Sequence, residues 1–291
     1  MQIENKLLNA ALHVLFVLMA AACVFPLILV ISISFSDQTA IAKEGYQIIP
    51  SIFSLDAYRY VFTSGTGIGR AYLVTILSTL CGTCISVLVI ALYAYPLSRP
   101  GLKYKKFFTF FIFFTMLFSG GLVAWYMVVT RILHLSNTIW ALVLPLAMNA
   151  WYVIIMRTFF QTGIPISLIE SAKLDGAGDF TILFRVALPI SNAVVAVMVL
   201  FYAVEQWNSW FPAFIYLKNR KLWPLQLVLR EIIIENNVSD MLTGVDAAEM
   251  LAVSESIKYA TIVVATLPIL CIYPFLQKYF VKGVMIGAVK G

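Results

Sequence analysis

Six apolar runs, each about long enough to cross a lipid bilayer, constrain this chain more than any other feature. A spanning helix needs about 20 predominantly apolar residues, and lipid offers the backbone no hydrogen-bond partner except within a helix or a closed barrel. The runs cover residues 12–33, 71–96, 107–130, 138–156, 191–217 and 259–277. The sequence therefore predicts an all-α integral membrane protein, with six transmembrane helices in a single domain over residues 1–291.

Composition supports a membrane protein and argues against other classes. The chain is 62% hydrophobic and only 12% charged, whereas about a quarter of the residues in soluble proteins are charged. The net charge of +6 comes from basic residues scattered at the ends of apolar runs, so we expect no nucleic-acid partner. Cys23, Cys81, Cys84 and Cys271 all lie inside apolar runs. We expect them to be buried small residues, and we expect no metal site.

The short link between the second and third runs indicates the orientation. It contains Arg99, Lys103, Lys105 and Lys106 and no acidic residue. Cytoplasmic loops are enriched in Lys and Arg, so this link should lie inside the cell. Six spans then place both termini and a loop over residues 157–190 in the cytoplasm, and residues 218–258 form an external loop.

A charged interval from Ile164 to Pro189 separates the fourth and fifth runs. Ser167 and Glu170 have the S-x-x-E spacing of a capping box, which predicts a helix that begins near Leu168. Gly176 can adopt the left-handed conformation that ends such a helix.

A second short helix is expected after Gly176. Asp179 can cap it, and Pro189 suits the start of the next membrane helix because it needs no N–H there. The apolar residues Phe180, Leu183, Phe184 and Ala187 have the spacing of one helix face. From spacing alone, the interval could equally be a capped amphipathic loop that lies on the membrane surface.

A polar and aromatic cluster lies inside the fifth run. It consists of Tyr202, Glu205, Gln206, Trp207, Asn208, Ser209 and Trp210. Sugar recognition suits such a set, because aromatic faces cover the C–H side of a ring and amide and carboxylate groups bind its hydroxyls. The alternative is interfacial tryptophan anchoring with hydrogen bonds between helices. The same two interpretations apply to Asn149 and its aromatic neighbours.

Ser119-Gly120-Gly121 interrupts the third run. Irregular backbone at membrane depth is tolerated where it is buried in protein or lines a water-filled cavity. Gly120 and Gly121 are therefore candidates for the translocation path, although close helix packing on glycine explains them equally well.

The chain offers little material for chemistry of its own. It contains no G-x-x-x-x-G-K-[ST] motif, so any ATP must be bound by a partner. Apart from His13, Glu205 is the only titratable group that could serve ion-coupled transport inside a span. Neither of the two histidines lies near a nucleophile or an acid pair in the sequence. We therefore expect no catalytic residue in this chain.

The charged interval resembles a known loop. Glu170-Ser171-Ala172, Gly176, Val186 and Leu188-Pro189 match the spacing E-A-A-x3-G-x9-I-x-L-P. This is the EAA loop of membrane subunits of ATP-binding-cassette (ABC) importers. Ser171 stands where alanine is usual and Val186 where isoleucine is usual, and both replacements are small enough to keep the shape.

The resemblance extends over nearly the whole chain. The six-span layout and the segments 156–160, 207–210, 224–227 and 280–291 are similar to those of maltose-type carbohydrate permeases. The chain is most similar to the oligosaccharide branch related to aldouronate and pectin-fragment systems. One departure is Ala124, where relatives tend to carry proline, so substrate contacts there could differ.

The resemblance implies a type I ABC importer permease fold and a set of partners. These are a second homologous permease subunit, two ATPase subunits that bind ATP and Mg, an external solute-binding lipoprotein, and the lipid of a bacterial cell membrane. The helix near Leu168 would dock on the ATPase as a coupling helix, and the tail Lys282–Gly291 could reach the same interface. The coupling residues implied are Ser167, Glu170, Ser171, Ala172, Asp175, Gly176 and Pro189.

The leading hypothesis is thus a permease subunit that imports an oligosaccharide by alternating access. The candidate residues for its substrate path are Glu205, Gln206, Trp207, Asn208, Trp210, Gly120, Gly121 and Asn149. One alternative is an importer subunit with an EAA loop that serves amino acids, peptides or anions. Another is a secondary transporter that acts alone, and it predicts transport without any ATPase.

Overall fold

The computed structural model describes residues 6–63, 67–242, 255–271 and 274. These residues are helical apart from connecting segments and one isolated bridge between Ser36 and Phe53. The helices are α1 (Lys6–Ser34), α2 (Gln38–Glu44), α3 (Asp56–Thr63), α4 (Ile68–Ser98), α5 (Lys105–Leu117), α6 (Gly121–Met127), α7 (Trp140–Val143), α8 (Ala150–Gly163), α9 (Ile166–Leu174), α10 (Asp179–Ile182), α11 (Leu188–Ile190), α12 (Asn192–Trp207), α13 (Phe211–Tyr216), α14 (Leu225–Leu242) and α15 (residues 255–271). Short 3₁₀-helices cover Leu144–Leu146 and Arg220–Leu222, and π-helices cover Val128–Ile132 and Leu183–Ala187.

Within the described part of the chain, two helices are long and apolar enough to cross a membrane alone, α1 over Asn9–Ser34 and α4. Three bent pairs pass the same test only when each pair is taken together, which gives up to five spans by length and composition. The sixth predicted run, residues 259–277, is helical through residue 271. Most of its remainder lies outside the described residues, as do the tail and residues 243–254.

The bent pairs show where the middle of the chain departs from straight spanning helices. The bend is 117° between Lys105–Leu117 and Gly121–Ile132, 53° between Trp140–Leu146 and Ala150–Gly163, and 86° between Asp179–Ile190 and Asn192–Trp207. The first break was expected from Ser119-Gly120-Gly121, and Gly121 has a φ of +78°. The second follows Pro145, which cannot donate a helical hydrogen bond. The third lies at Ser191, between the segment that ends at Ile190 and α12, close to Pro189, where a membrane helix was expected to begin.

The prediction that the cysteines are buried was wrong. Cys23, Cys81, Cys84 and Cys271 are all exposed on the surface of this chain. An apolar run that crosses a membrane is apolar on the lipid side too, so hydrophobic surroundings in sequence do not imply burial.

One compact unit comprises the residues up to Ile68 together with Val228–Pro268. After α1, Phe35 stacks on Phe53 with ring centroids 5.3 Å apart. Asp37 caps α2 by accepting the N–H of Thr39 at 2.9 Å. The Thr39 hydroxyl also donates to this carboxylate, which holds the pKa of Asp37 below its ordinary value.

The second unit comprises Gly69–Leu227 and the residues from Ile269 onward. Its main core joins α4, α8 and α12 with the chain between α9 and α11. The largest fully buried side chains of this core are Ile90, Met156, Phe160, Ile164, Ile182, Met198 and Tyr202. The long helices thus form one packed body, and the segment from α9 to α11 is built onto it.

At Gly82, helix α4 is in close contact with the Gln206 side chain of α12. A Cβ added at Gly82 would lie 2.6 Å from Nε2 of Gln206, whose side chain is buried. Gly69 in the same helix has nothing within 4 Å of such a Cβ. Glycine at position 82 therefore allows the Gln206 amide to lie against the backbone of α4.

We expect Gly82→Leu to lower the free energy of unfolding of the purified protein by about 1–3 kcal/mol, and so to lower its melting temperature. The new side chain must displace Gln206 and separate the helices. Gly69→Leu is the matched control and should change the melting temperature little. Fluorescence-detected size-exclusion chromatography after heating measures both variants. Equal melting temperatures for the two variants would contradict this account of the packing.

Candidate functional site

The helix predicted near Leu168 is α9, but it begins two residues earlier. Pro165 is its N-cap, with φ −57° and ψ 135°, and no side chain caps the helix. Ser167 lies inside the first turn, where its carbonyl accepts the Ser171 hydroxyl at 3.0 Å. The predicted capping box of Ser167 and Glu170 is therefore wrong. Proline suits this position because its fixed φ is compatible with a helix start, and its carbonyl accepts the N–H of Leu168 at 3.2 Å.

The end of α9 is as predicted. Gly176 has a φ of +82°, in the left-handed region that favours glycine. The N–H of Ala177 donates to the carbonyl of Ala172 at 2.9 Å, and the N–H of Gly176 donates to that of Lys173 at 3.0 Å. This pair of bonds is a Schellman motif, which satisfies the last carbonyls of a helix and turns the chain sharply.

The two sides of α9 have different environments. Ile169 is buried in the main core, and Ala172 and Ala177 pack against that core. On the outer side Leu174 is 89% exposed, and Phe180 just beyond the turn is 72% exposed. A short helix is thus fixed to the body by one side and presents apolar side chains on the other. Exposed apolar groups of this kind mark interaction surfaces.

The second short helix differs from the prediction in its cap and in its buried face. Gly178 is the N-cap and Asp179 is the first helical residue. Asp179 forms an ion pair with Lys173 at 3.5 Å, and both groups are exposed, so the pair stabilises the turn little.

A π-helix over Leu183–Ala187 changes the spacing of the buried face. Ile182, Leu183 and Ala187 are buried, whereas Phe180 and Phe184 are exposed. In a π-helix, residues five apart are neighbours, so Ile182 and Ala187 share a face. The predicted stripe assumed α-helical spacing throughout, and it was wrong for both phenylalanines.

A cavity of about 470 Å³ lies between α9 and the link after α4. Arg99, Glu170 and Lys173 are among its lining residues. The guanidinium of Arg99 donates to the carbonyl of Phe160 at 2.9 Å and lies 5.1 Å from the ring centre of Tyr95. Burial lowers the pKa of Arg99 below its ordinary value, but arginine remains charged at neutral pH. Arg99 therefore ties the end of α4 to the end of α8, directly beside α9.

In the sequence, Arg99 indicated only the orientation of the chain. Its contact with the carbonyl of Phe160 was not predicted. A signal was present, because Arg99 is the first charged residue after a long apolar run. Which carbonyl it would reach depends on how α8 ends against α4, and that is set by packing.

A second cavity, of about 370 Å³, lies at the breaks of the middle runs. It is lined by Thr115, Met116, Pro145, Leu146, Met148, Asn149, Ala150, Trp151 and Glu205. Two of the predicted path residues, Asn149 and Glu205, therefore meet in one place. Trp151, one of the aromatic neighbours of Asn149, joins them.

Asn149 connects the second break to α12. Its side-chain oxygen accepts the N–H of Trp151 at 2.9 Å and so caps α8. Its own N–H donates to the hydroxyl of Tyr202 at 3.1 Å. The break is therefore closed by one side chain of its own and by one from the neighbouring helix.

Glu205 lies one turn after Tyr202 at the cavity. The Oε2 atom of its carboxylate is buried without a hydrogen-bond partner among the described residues. A buried carboxylate oxygen with no partner leaves an acceptor available for a ligand hydroxyl or for water.

The other candidate path residues lie away from the lining of this cavity. Gln206 packs over Gly82, and Trp207 is buried with its ring 6.3 Å from that of Tyr72. Asn208 accepts a hydrogen bond from Gln226 at 3.4 Å. Trp210 packs on Phe211 and Phe214. Gly120 and Gly121 form the break before α6, where the Gly121 N–H donates to the Ser119 hydroxyl at 3.2 Å. Their place in a substrate path stays a prediction.

The sequence matches a family described as "Binding-protein-dependent transport system inner membrane component" over residues 86–286. This region contains α9, its glycine turn and the residues that line both cavities. The chain belongs to this family of transport permeases.

Individual permeases of known systems are similar over the full length. The polygalacturonan/rhamnogalacturonan transport system permease protein YtcP of Bacillus subtilis is 42% identical, over 99% of this chain and 100% of that protein. Protein LplC of the same organism is 41% identical, over 93% of this chain and 90% of that protein. A solved bacterial ABC transporter "involved in the import of the acidic polysaccharide alginate" has a chain that is 29% identical. It aligns with a TM-score of 0.83, over 96% of this permease and 99% of that chain.

These similarities confirm the predicted family and its fold. The protein is a permease subunit of an ABC importer, an inner-membrane transport component and not an enzyme. Membership of a binding-protein-dependent family implies an external substrate-binding protein and an ATPase as partners, and ATP use belongs to that ATPase.

We expect Arg99→Gln to destabilise the permease by about 2 kcal/mol, because it removes a charged hydrogen bond to the carbonyl of Phe160 and a contact with the Tyr95 ring. Lys103→Gln is the matched control. It lines the same cavity and is exposed, and it should leave the melting temperature within a degree or two. Thermal unfolding in detergent compares the two variants. A melting temperature for Arg99→Gln equal to that of the control would show that the bridge carries no stability.

Proposed function

We propose that this permease imports an oligosaccharide and that α9 is the helix through which an ATPase drives it. The substrate class is supported by the relatives, whose names include polygalacturonan and rhamnogalacturonan, arabinooligosaccharides and maltodextrin. The observation that carries the coupling role is the two-sided environment of α9, with Ile169 in the core and Leu174 almost fully exposed.

The charged interval from Ile164 to Pro189 is the proposed coupling segment. Each of its parts has a physical role. Gly176 sets a sharp turn that holds the outer side of α9 away from the body, and Ala172 is small enough for close approach to the core. Ser167, Glu170, Ser171 and Asp175 are exposed polar groups around the helix and can bind a partner surface. Pro189 lies just before the 86° break, where a shift of α9 would reach α12.

The topology completes the proposal. Six spans place α9 and both termini in the cytoplasm, with residues 218–258 outside and facing the binding protein. The assembly comprises this permease, a second homologous permease, two ATPase subunits that bind ATP and Mg, and the binding protein. The bias of Arg99, Lys103, Lys105 and Lys106 toward one side supports this orientation.

The cavity at the helix breaks is the proposed substrate contact. Glu205 and Asn149 offer hydrogen-bonding groups, and the exposed ring of Trp151 can cover the apolar face of a sugar. Gln206, Trp207, Asn208, Trp210, Gly120 and Gly121 lie outside its lining, and they would contribute through the packing of the helices around it.

The first test uses the reconstituted complex with its binding protein and a panel of oligosaccharides, with amino acids and peptides as the comparison. We expect oligosaccharides alone to stimulate ATP hydrolysis. Gly176→Val should reduce that stimulation at least tenfold, because a β-branched residue at a φ of +82° must distort the turn at the end of α9.

The matched control for Gly176→Val is Gly178→Val. Gly178 has a φ of −72° and a ψ of 162°, an extended conformation that valine adopts, and no atom within 4 Å of an added Cβ. The control should keep most of the stimulation. Normal stimulation of ATP hydrolysis in Gly176→Val would contradict the coupling role of α9. Stimulation by amino acids or peptides alone would show that the substrate is not an oligosaccharide.

A second test concerns the cavity. We expect the double variant Glu205→Gln and Trp151→Ala to lower oligosaccharide transport by tenfold or more while the complex assembles normally, because one charged acceptor oxygen and one stacking surface are lost. Trp140→Ala is a control, since Trp140 is an exposed tryptophan outside the cavity lining. Transport into proteoliposomes that matches the control would leave only a packing role for these residues.

A further inference from the structure

A groove of about 560 Å³ lies where α5 begins beside α8. It is lined by Lys105, Lys106, Thr109, Phe110, Phe113 and Arg157. Three of these six side chains are basic and none is acidic. The groove is separate from the lining of the two cavities described above, and none of its residues has a place in the proposed coupling or transport steps.

Two of the cations are held in place by backbone carbonyls. Lys105 donates to the carbonyl of Arg99 at 3.1 Å, and Arg157 donates through Nε to that of Leu97 at 3.3 Å. A lysine ammonium has three donors and a guanidinium has five, so each cation keeps donors for another acceptor. The forked guanidinium of Arg157 in particular suits the oxygens of a phosphate.

The rest of the groove is apolar and aromatic. Phe110 and Phe113 are exposed on the surface of α5, one turn apart. Between them and the cations, the hydroxyl oxygen of Thr109 is buried without a hydrogen-bond partner among the described residues. A buried polar atom without a hydrogen-bond partner in the protein can form that bond with a bound molecule.

The order of these groups along α5 matches the order of groups in a phospholipid. Lys105 and Lys106 are at the first turn of the helix, where its positive dipole end adds to their charge. Thr109 follows after one turn, and the phenylalanines lie further into the apolar run. A phosphate would meet the cations, a glycerol oxygen would meet Thr109, and an acyl chain would lie on the rings.

We propose that this groove binds one anionic phospholipid of the phosphatidylglycerol class. A free phosphate has no apolar part that could contact the two phenylalanines. A zwitterionic lipid would place the positive charge of its headgroup beside the three basic side chains. The volume lies within the range of about 300–1,000 Å³ that small-molecule sites occupy. The inference rests on the proposed membrane topology only in that α5 must begin at a lipid–water boundary.

The test uses the complete complex with a photoactivatable phosphatidylglycerol whose reactive group is on an acyl chain. After irradiation and trypsin digestion, we expect label on the peptide of residues 107–131, which contains both phenylalanines. Unlabelled phosphatidylglycerol should compete for this label, and phosphatidylcholine should not. Lys106→Gln combined with Arg157→Gln should reduce the labelling on the order of tenfold.

The controls separate charge from damage to the fold. Lys103→Gln removes a positive charge from the same link outside the groove and should label like the unmodified protein. Lys106→Arg keeps the charge and should keep the label, and Lys106→Gln alone, at an exposed position, should reduce it without disturbing Arg157.

Three results would overturn the proposal: labelling by a phosphatidylcholine probe to the same extent, equal labelling of the double variant and Lys103→Gln, or cross-linking of this face to the second permease in place of lipid. Substrate-stimulated ATP hydrolysis is measured on the same preparations. If the unmodified complex is labelled by the lipid but its ATP hydrolysis is not stimulated by substrate, the result would count against the proposed function and not against the lipid site.

Discussion

The hydrogen bonding of the backbone inside a membrane is the constraint on which the rest of this structure depends. Lipid offers no partner to an N–H or a carbonyl, so a helix that breaks at membrane depth must find substitutes within the protein. This permease bends within two of its apolar runs, by 117° and 53°, and bends by 86° where a third run begins. Near each break, local groups form hydrogen bonds with the backbone. These groups are the Ser119 hydroxyl, the Asn149 side chain with the Tyr202 hydroxyl, and the carbonyls that accept the Ser191 N–H.

Because breaks must be lined by polar groups, they are also where a polar substrate can be accommodated. Asn149 illustrates this double use, since the same residue that caps α8 lies beside Glu205 in the cavity. An unbroken apolar helix would offer a sugar no hydrogen bonds. In the proposed function, Asn149 would therefore meet a requirement of the backbone and a requirement of the substrate together.

The second unit also explains how a short surface helix could act on that cavity. Ile169 places α9 in the same core as α4, α8 and α12, and Arg99 ties the ends of α4 and α8 beside it. Packed cores deform little, so a force on α9 would shift whole helices and not single side chains. The helix that carries Glu205 follows the coupling segment directly, after the break at Ser191.

The sequence alone was enough for the membrane class, the family and several local features, because these depend on composition and on short-range rules. Apolar length predicts helices, the absence of a P-loop leaves any ATP binding to a partner, and glycine at position 176 favours a left-handed turn whatever surrounds it. Ser119-Gly120-Gly121 likewise predicted a break, since glycine at consecutive positions weakens any helix.

Only the tertiary structure decided where the helices bend, which faces are buried and which groups meet. Phe180 and Phe184 are exposed because a π-helix changes the spacing after Ile182. Trp151 and Glu205 lie far apart in sequence, as do Lys106 and Arg157, and only helix packing brings each pair together. Periodicity describes one helix at a time, whereas a site depends on the contacts between helices.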